Sequence, residues 1–387
     1  MNSLIPYGKQ TITEADIAAV EAVLRGPYLT QGPTVPAFEQ AVIAQVGAKY
    51  AVAVNSATSA LHLACLALDL GPGDRLWTSP ITFVASANCG RYCGAEVDFV
   101  DINPATALMS VAALEQKLEQ AATNGTLPMV LIPVHLCGTS CDMVAIAALA
   151  QQYGVAVLED ASHAIGGHYR GEPVGNCRYS AISVFSFHPV KIITTAEGGL
   201  ATTNNPQLAQ RMTDLRSHGI TKEKARFERP APGPWSYEQQ DLGFNYRLTD
   251  LQAALGLSQL ERLETIVAER QRLLEVYRQK LAFLPVSLLE IPPTVSSAQH
   301  LAVIRLHDRD PDHQRCVFEG LRAAGIGVQL HYSPVHLQPY YRRLGFSEGD
   351  FPEAEAYARN AISLPMYPGL QDHEQERVVQ VLSSLLG

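Results

Sequence analysis

The chain has 387 residues, 47% of them hydrophobic and 17% charged, with 29 Lys and Arg against 38 Asp and Glu. That length suits two or three structural units around a sizeable core, and a formal charge of −9 speaks against nucleic acid as a partner, because phosphate binding needs a basic face. The opening residues lack the basic-then-apolar order of a signal peptide, and no run of about 18 apolar residues offers a membrane span, so a cytoplasmic protein is expected.

Seven cysteines, Cys65, Cys89, Cys93, Cys137, Cys141, Cys177 and Cys316, are spread thinly, which suits reduced thiols better than a disulfide framework. Cys89/Cys93 and Cys137/Cys141 stand one helical turn apart and could suggest a metal. Zinc sites more often use a two-residue gap with further ligands nearby, and free Cys is a common core residue. No metal is expected.

In chain order, the apolar pattern predicts a helix over residues 13–25, capped by Thr13, with Ile17, Val20 and Leu24 at helical spacing and Gly26-Pro27 as the stop. A second helix is expected over 35–46. Strands and helices then alternate: strand 51–54, helix 58–70, strand 75–78, helix 84–93, strand 97–100, helix 111–122, strand 129–134, helix 143–153 and strand 155–158. Short apolar runs separated by helices indicate a mainly parallel sheet covered on both faces. Strands at 181–187 and 199–202 follow, then a helix at 207–218, a basic, Pro-rich mobile loop at 221–234, and a long helical region at 248–281. Beyond residue 282 the rhythm changes. Strands 301–306 and 326–330 flank a helix at 313–324, and a last helix covers 373–386. The expected division is a large domain, 1–281, and a small α+β domain, 282–387.

Neither a Gly-rich dinucleotide turn nor a Walker-type Gly-Lys-Ser/Thr follows any strand. After the first strand comes Asn55-Ser56-Ala57-Thr58-Ser59-Ala60-Leu61, small residues that open either an anion-binding helix N-terminus or an ordinary Ser-capped helix. Glu159-Asp160-Ala161-Ser162-His163 stands at the carboxyl end of an apolar strand, where ligands bind in open α/β sheets; a plain helix cap is the other reading. The run Ser183 to Lys191, followed by Glu197-Gly198-Gly199, sets a lysine just past a buried strand. Lys191 is then either a surface residue or a desolvated amine with a lowered pKa. Anion cradle, carboxylate and lysine, in that order, match the phosphate, pyridinium nitrogen and aldehyde of pyridoxal 5′-phosphate (PLP).

With these motifs the chain resembles the DegT/DnrJ/StrS-type nucleotide-sugar aminotransferases over nearly its whole length. Further segments that carry the resemblance are Gly32-Pro33 with Phe38-Glu39, Ser186 to Lys191, Gly243-Phe244-Asn245-Tyr246-Arg247 and His331-Tyr332-Ser333-Pro334-Val335-His336. The resemblance implies an α/β type I (aspartate aminotransferase-like) PLP fold: a mainly parallel sheet flanked by helices, with a smaller C-terminal α+β domain. By it, Lys191 would be the Schiff-base lysine, Asp160 would bind the pyridine nitrogen, and Phe83 would stack on the ring. Ala57 and Thr58 main-chain groups with Ser186 would hold the phosphate. His163, where many members have Gln, would lie near the cofactor's hydroxyl oxygen. Asn245 would reach the phosphate region from a neighbouring subunit, which implies a homodimer with shared sites.

Within that family, residues 188–199 and 55–61 look like the pseudaminic-acid branch. That branch aminates C4 of a UDP-4-keto-6-deoxy-L-altrosamine derivative with L-glutamate as donor. By the same resemblance Tyr7, Pro27, Tyr28, Leu29, Thr30, Ser56, Gln329, Leu330, His331 and Tyr332, with Ser186 and Asn245, would face the nucleotide sugar. For Tyr7 and Tyr28, ordinary packing is the other reading. The rivals are amination of another keto sugar, such as the D-configured one of bacillosamine synthesis, and a non-catalytic sensor or structural protein that keeps the fold. A PLP-dependent sugar dehydratase is disfavoured, since those relatives carry His in place of the Schiff-base lysine.

Overall fold

The computed structural model describes residues 4–308 and 310–387. Helix α1 (Glu14–Arg25) begins at a reciprocal cap: Thr13 Oγ1 accepts the Asp16 N–H, and the Asp16 carboxylate accepts the Thr13 N–H at 2.8 Å. Such caps contribute about 1 kcal/mol. Helix α2 (Thr34–Val46) ends at Gly47, whose φ of 77° is the left-handed geometry that closes helices.

Strand and helix then alternate as expected: β1 (Tyr50–Val54), α3 (Ala57–Ala67), β2 (Arg75–Thr78), α4 (Ala85–Tyr92), β3 (Glu96–Phe99), α5 (Val111–Asn124), β4 (Val130–Ile132), α6 (Met143–Tyr153) and β5 (Ala156–Asp160). A short hairpin, β6 (His168–Tyr169) and β7 (Glu172–Pro173), precedes β8 (Ile182–Ser186) and β9 (Gly199–Thr203). Apart from the hairpin, these strands form one sheet in the order β1-β9-β8-β5-β4-β2-β3. From β8 through β3 all neighbours are parallel, and β9 lies antiparallel to both β1 and β8. Every residue of β4, β8 and β9 is buried, as a sheet covered on both faces requires.

This topology decides where the chemistry collects. The carboxyl ends of β1, β5 and β8 share one edge with the start of β9, where Val54 and Ser186 both pair with Gly199, and Asp160 pairs with Val184. The Gly198-Gly199 pair is steric: a Cβ on Gly199 would sit 2.4 Å from the Ala57 nitrogen, and one on Gly198 2.0 Å from Thr195 Oγ1. Only glycine lets β9 press against the start of α3.

Helix α7 (Pro206–Arg216) leads into β10 (Ile220–Thr221), which pairs with β11 (Glu238–Gln239). The intervening segment is irregular, as expected, but Arg226 is tied to Asp214. The long helical region is two helices, α8 (Asp250–Leu260) and α9 (Leu263–Leu281). The break has a cause: buried Asp16 gathers Ser258 Oγ (2.6 Å), Gln259 Nε2 (2.8 Å) and Arg262 Nη2 (2.7 Å), fixing the junction against α1.

The chain continues through β12 (Val286–Leu288), β13 (Val295–Ser296), β14 (Ala302–Leu306), α10 (Pro311–Ala323), α11 (Pro339–Arg342), α12 (Pro352–Ala358), β15 (Ala361–Leu364) and α13 (Asp372–Leu386). β12, β14 and β15 form an antiparallel sheet, and β13 extends the β6–β7 hairpin. The strand expected at 326–330 is reduced to single bridges, Ile326 with Ile5 and Gln329 with Ser363. The amino-terminal segment crowds it, since a Cβ on Gly327 would lie 2.9 Å from the Tyr7 nitrogen. β15 takes the place beside β14. Among the described residues, no helix is long and apolar enough to cross a membrane. Among the same residues, no group of three or more His, Cys, Asp or Glu is placed to hold a metal ion.

Candidate active site

At the shared edge of the large sheet lies a cavity of about 410 Å³. Ser56 caps α3, its Oγ accepting the Ser59 N–H at 3.1 Å. The next N–H groups, of Ala57 and Thr58, belong to the first helical turn and have no intrahelical acceptor. Ser56, Ala57 and Thr58 line the cavity, as does Ser186 from the end of β8. Amides and hydroxyls at a helix N-terminus suit a phosphate.

Asp160 ends β5, buried at 6% exposure. Its Oδ2 accepts a hydrogen bond from Ser86 Oγ (2.6 Å) and its Oδ1 one from the Ser162 N–H (3.1 Å). Ser86 in turn lies 2.7 Å from Thr82 Oγ1. Lys191 follows β8 through a turn closed by its N–H on the His188 carbonyl. Burial shifts its pKa down to about 8, partly opposed by Asp160 and Cys137. Of the seven lysines, this is the one that lines the cavity.

Of the four histidines that line the cavity, three are buried: His163, His300 and His331. His163 Nδ1 accepts the Cys137 N–H at 3.3 Å, and its Nε2 stands 3.3 Å from the Tyr332 hydroxyl. His300 packs against it, with ring centroids 4.4 Å apart. His331 Nδ1 contacts Ser363 Oγ at 2.8 Å, and its ring sits 5.5 Å from that of Tyr7. Burial, reinforced by the Lys191 charge, holds His163 and His300 well below the usual histidine range and His331 down to about 4. All three are neutral near pH 7. Burial likewise raises the Tyr332 hydroxyl, so Lys191 alone in this set changes charge close to neutrality.

Phe83, at the mouth, is 58% exposed, a bare ring 6.3 Å from that of Tyr332. The donor set thus fits PLP: helix-terminal amides and hydroxyls for a phosphate, a buried carboxylate for a ring N–H, a primary amine for an aldehyde, and a bare aromatic face for a flat ring.

The residues singled out from sequence divide in two. Tyr7, Ser56, Ala57, Thr58, Phe83, Asp160, His163, Ser186, Lys191, His331 and Tyr332 all line the cavity. Pro27, Tyr28, Leu29 and Thr30 do not; they are exposed, with Leu29 and Thr30 bound through their backbones to the start of α8. Asn245 and Gln329 are exposed and outside the cavity, and Leu330, half-buried, does not line it either. Ser86 and His300 were missed. A Ser one turn after Thr82 is too common a pattern to notice, and His300 stands in a loop far along the chain from every motif.

Comparison with known proteins places this geometry. The chain is 38% identical over 393 residues to the spore coat polysaccharide biosynthesis protein SpsC of Bacillus subtilis, covering all of this chain and 98% of that one. Its structure superposes with a TM-score of 0.91 on PseC of Helicobacter pylori, an aminotransferase of pseudaminic acid biosynthesis, at 29% identity over 99% of both chains. It matches the PLP form of the sugar aminotransferase Spr1654 of Streptococcus pneumoniae with a TM-score of 0.89, at 29% identity over 99% of this chain and 98% of that one. The sequence pattern of the DegT/DnrJ/EryC1/StrS aminotransferases matches residues 10–383. With a lysine, an aspartate and a phosphate cradle meeting in one cavity, the chain is a PLP-dependent sugar transaminase and belongs to the DegT/DnrJ/EryC1/StrS aminotransferase family.

Proposed function

We propose that the enzyme transfers an amino group from L-glutamate to C4 of a UDP-4-keto-6-deoxy-N-acetyl-hexosamine, forming UDP-4-amino-4,6-dideoxy-N-acetyl-β-L-altrosamine on the route to pseudaminic acid. The observation that supports it is the likeness to PseC along 99% of both chains. In this reading the Ala57 and Thr58 amides, with Ser186, hold the cofactor phosphate. Asp160 keeps the ring nitrogen protonated, Phe83 covers the ring, and His163 donates to its hydroxyl oxygen. Bound there, PLP supplies an aldehyde that captures amines and a ring that withdraws electrons.

The chain's own residues do the rest. Lys191, its pKa lowered to about 8, has a far larger unprotonated fraction near neutrality than an ordinary lysine and can serve there as the base that takes a proton from carbon. Neutral His163 and His331 offer hydrogen bonds without competing for that proton. Leu61, Val134 and Val190 give part of the cavity an apolar lining.

A panel of nucleotide-linked keto sugars, each tested with L-glutamate, checks the substrate. The L-altro-configured UDP sugar is expected to exceed its D-configured isomers by about 100-fold in kcat/KM, the scale on which a shaped pocket discriminates. The likeness to SpsC gives the other outcome weight: preference for a different keto sugar overturns the pseudaminic assignment and leaves the transaminase intact.

The exposed residues Asn245, Pro27 to Thr30 and Gln329 are accounted for by a homodimer in which each chain completes its partner's site. Lys191→Ala and Asn245→Asp chains are then expected to complement. In a mixed dimer one site carries both lesions and the other none, so random exchange restores roughly a quarter of wild-type activity per subunit. Asp at 245 sets a carboxylate against a phosphate, a like-charge contact in a partly dry site. No recovery after verified subunit exchange would remove Asn245 from the partner's site.

A further inference from the structure

Glu159 precedes Asp160 on β5, so its side chain leaves the sheet on the face away from the cavity. There it meets His135; the two residues are 5% and 0% exposed, and His135 Nε2 lies 2.7 Å from Glu159 Oε2. Ser180 Oγ donates to the other carboxylate oxygen. The Cys141 N–H points at His135 Nδ1 from 3.2 Å, leaving no place for a second proton. Against the cost of burial, the contacts with Cys141 and Glu159 raise the His135 pKa, and with Nδ1 turned to the Cys141 N–H the ring donates its Nε2–H to Glu159.

His135 begins a tight turn that reaches back to the cavity. Its own N–H binds the Asp160 carbonyl at 3.0 Å, and the Cys137 carbonyl accepts the His300 N–H at 2.8 Å. The Cys137 N–H meets His163 Nδ1. Gly138, at φ 88°, is wedged so closely that a Cβ would sit 2.8 Å from the His163 carbonyl and 2.9 Å from the Gln299 nitrogen. The turn therefore touches the His163 imidazole and the His300 backbone, and its buried anchor is the His135 side chain.

We propose that His135 and Glu159 are a positioning pair: their hydrogen bond holds the turn so that the Cys137 N–H occupies His163 Nδ1 and keeps that ring's single proton on Nε2, toward Tyr332 and the cavity. His163 then always presents a donor to an oxygen bound beside it. A free ring would distribute the proton over both nitrogens, and the molecules carrying it on Nδ1 would offer a lone pair where a donor is needed. The inference rests on the transaminase assignment and is independent of which sugar is used.

The test reads proton placement directly. In the protein labelled with 15N-histidine, with His163 assigned through His163→Gln, the wild type is expected to show a single His163 tautomer protonated at Nε2. Glu159→Ala is expected to show a mixture, with kcat lowered about tenfold and KM for the amino donor within about twofold, the pattern of a misplaced group. Glu159→Gln keeps an acceptor for His135 and is expected to retain the single tautomer and kcat within about threefold. Glu159→Asp, which withdraws the carboxylate by one methylene, serves if the Ala variant does not fold, and is expected to mix tautomers as well. A folded Ala or Asp variant with the wild-type tautomer and kcat, or a Gln variant as impaired as Ala, would make the pair a structural contact only and overturn the proposal.

Discussion

Lys191→Ala is expected to give a folded protein whose kcat falls by about 10³ or more, the range lost when a positioned proton carrier is removed. No other lysine lines the cavity, so no second amine can replace it as the covalent anchor of PLP. Borohydride reduction of the wild-type holoenzyme, followed by peptide mapping, is expected to fix the cofactor on Lys191. A label on a different lysine, or a variant that keeps a tenth of its turnover, removes the assignment. The fold is not at risk. Folding lowers this pKa from 10.5 to about 8, so between those values the folded chain holds fewer protons on Lys191 than the unfolded chain. Its contribution to stability therefore rises with pH across that window, and at neutral pH the fold carries a poorly solvated ammonium. Alanine removes that cost, and the melting temperature is expected at or above wild type. The same shift predicts that capture of PLP by the apoprotein speeds up with pH around a midpoint near 8 rather than 10.5.

What the sequence revealed, and what it hid, follows from how far each signal travels along the chain. The alternation of short apolar runs with helices is local, and it led directly to the mainly parallel sheet. Once such a sheet exists, Ser56, Asp160 and Ser186 must collect at one edge, because their strands point the same way. The antiparallel course of β9 was hidden, since a strand's direction is set by its neighbours and leaves no mark in five residues of Gly-Leu-Ala-Thr-Thr. The break between α8 and α9 was hidden for a similar reason. Its cause, Asp16, lies more than 240 residues away in sequence. β15 escaped notice because Ala361–Leu364 is too short to read without its partner β14. In the site, residues within motifs were legible and residues that act through contact were not: Ser86 is defined by its 2.6 Å bond to Asp160, and His300 by its packing on His163.

Asp160→Asn separates charge from shape at the centre of the site. Asparagine has almost the same volume and can keep the Oδ1 contact with the Ser162 N–H at 3.1 Å. Where the second oxygen becomes an amide, Ser86 must change from donor to acceptor. It can do so because its hydroxyl and that of Thr82, 2.7 Å apart, can reverse the direction of their shared hydrogen bond. The fold and PLP attachment through Lys191 are therefore expected to survive. What is lost is the negative charge that keeps a ring nitrogen protonated, in a position only 6% exposed, where water cannot replace it. Removing one partner of a buried charge pair costs about 3–5 kcal/mol. At 1.36 kcal/mol per power of ten, kcat is expected to fall by roughly 10² to 5 × 10³, with PLP content close to wild type. Absorbance spectra and single-turnover rates on the same sample check both halves. A variant that binds PLP and turns over at the wild-type rate would show that Asp160 serves only as an acceptor for Ser86 and Ser162, and the partner of the ring nitrogen would have to be sought elsewhere in the cavity.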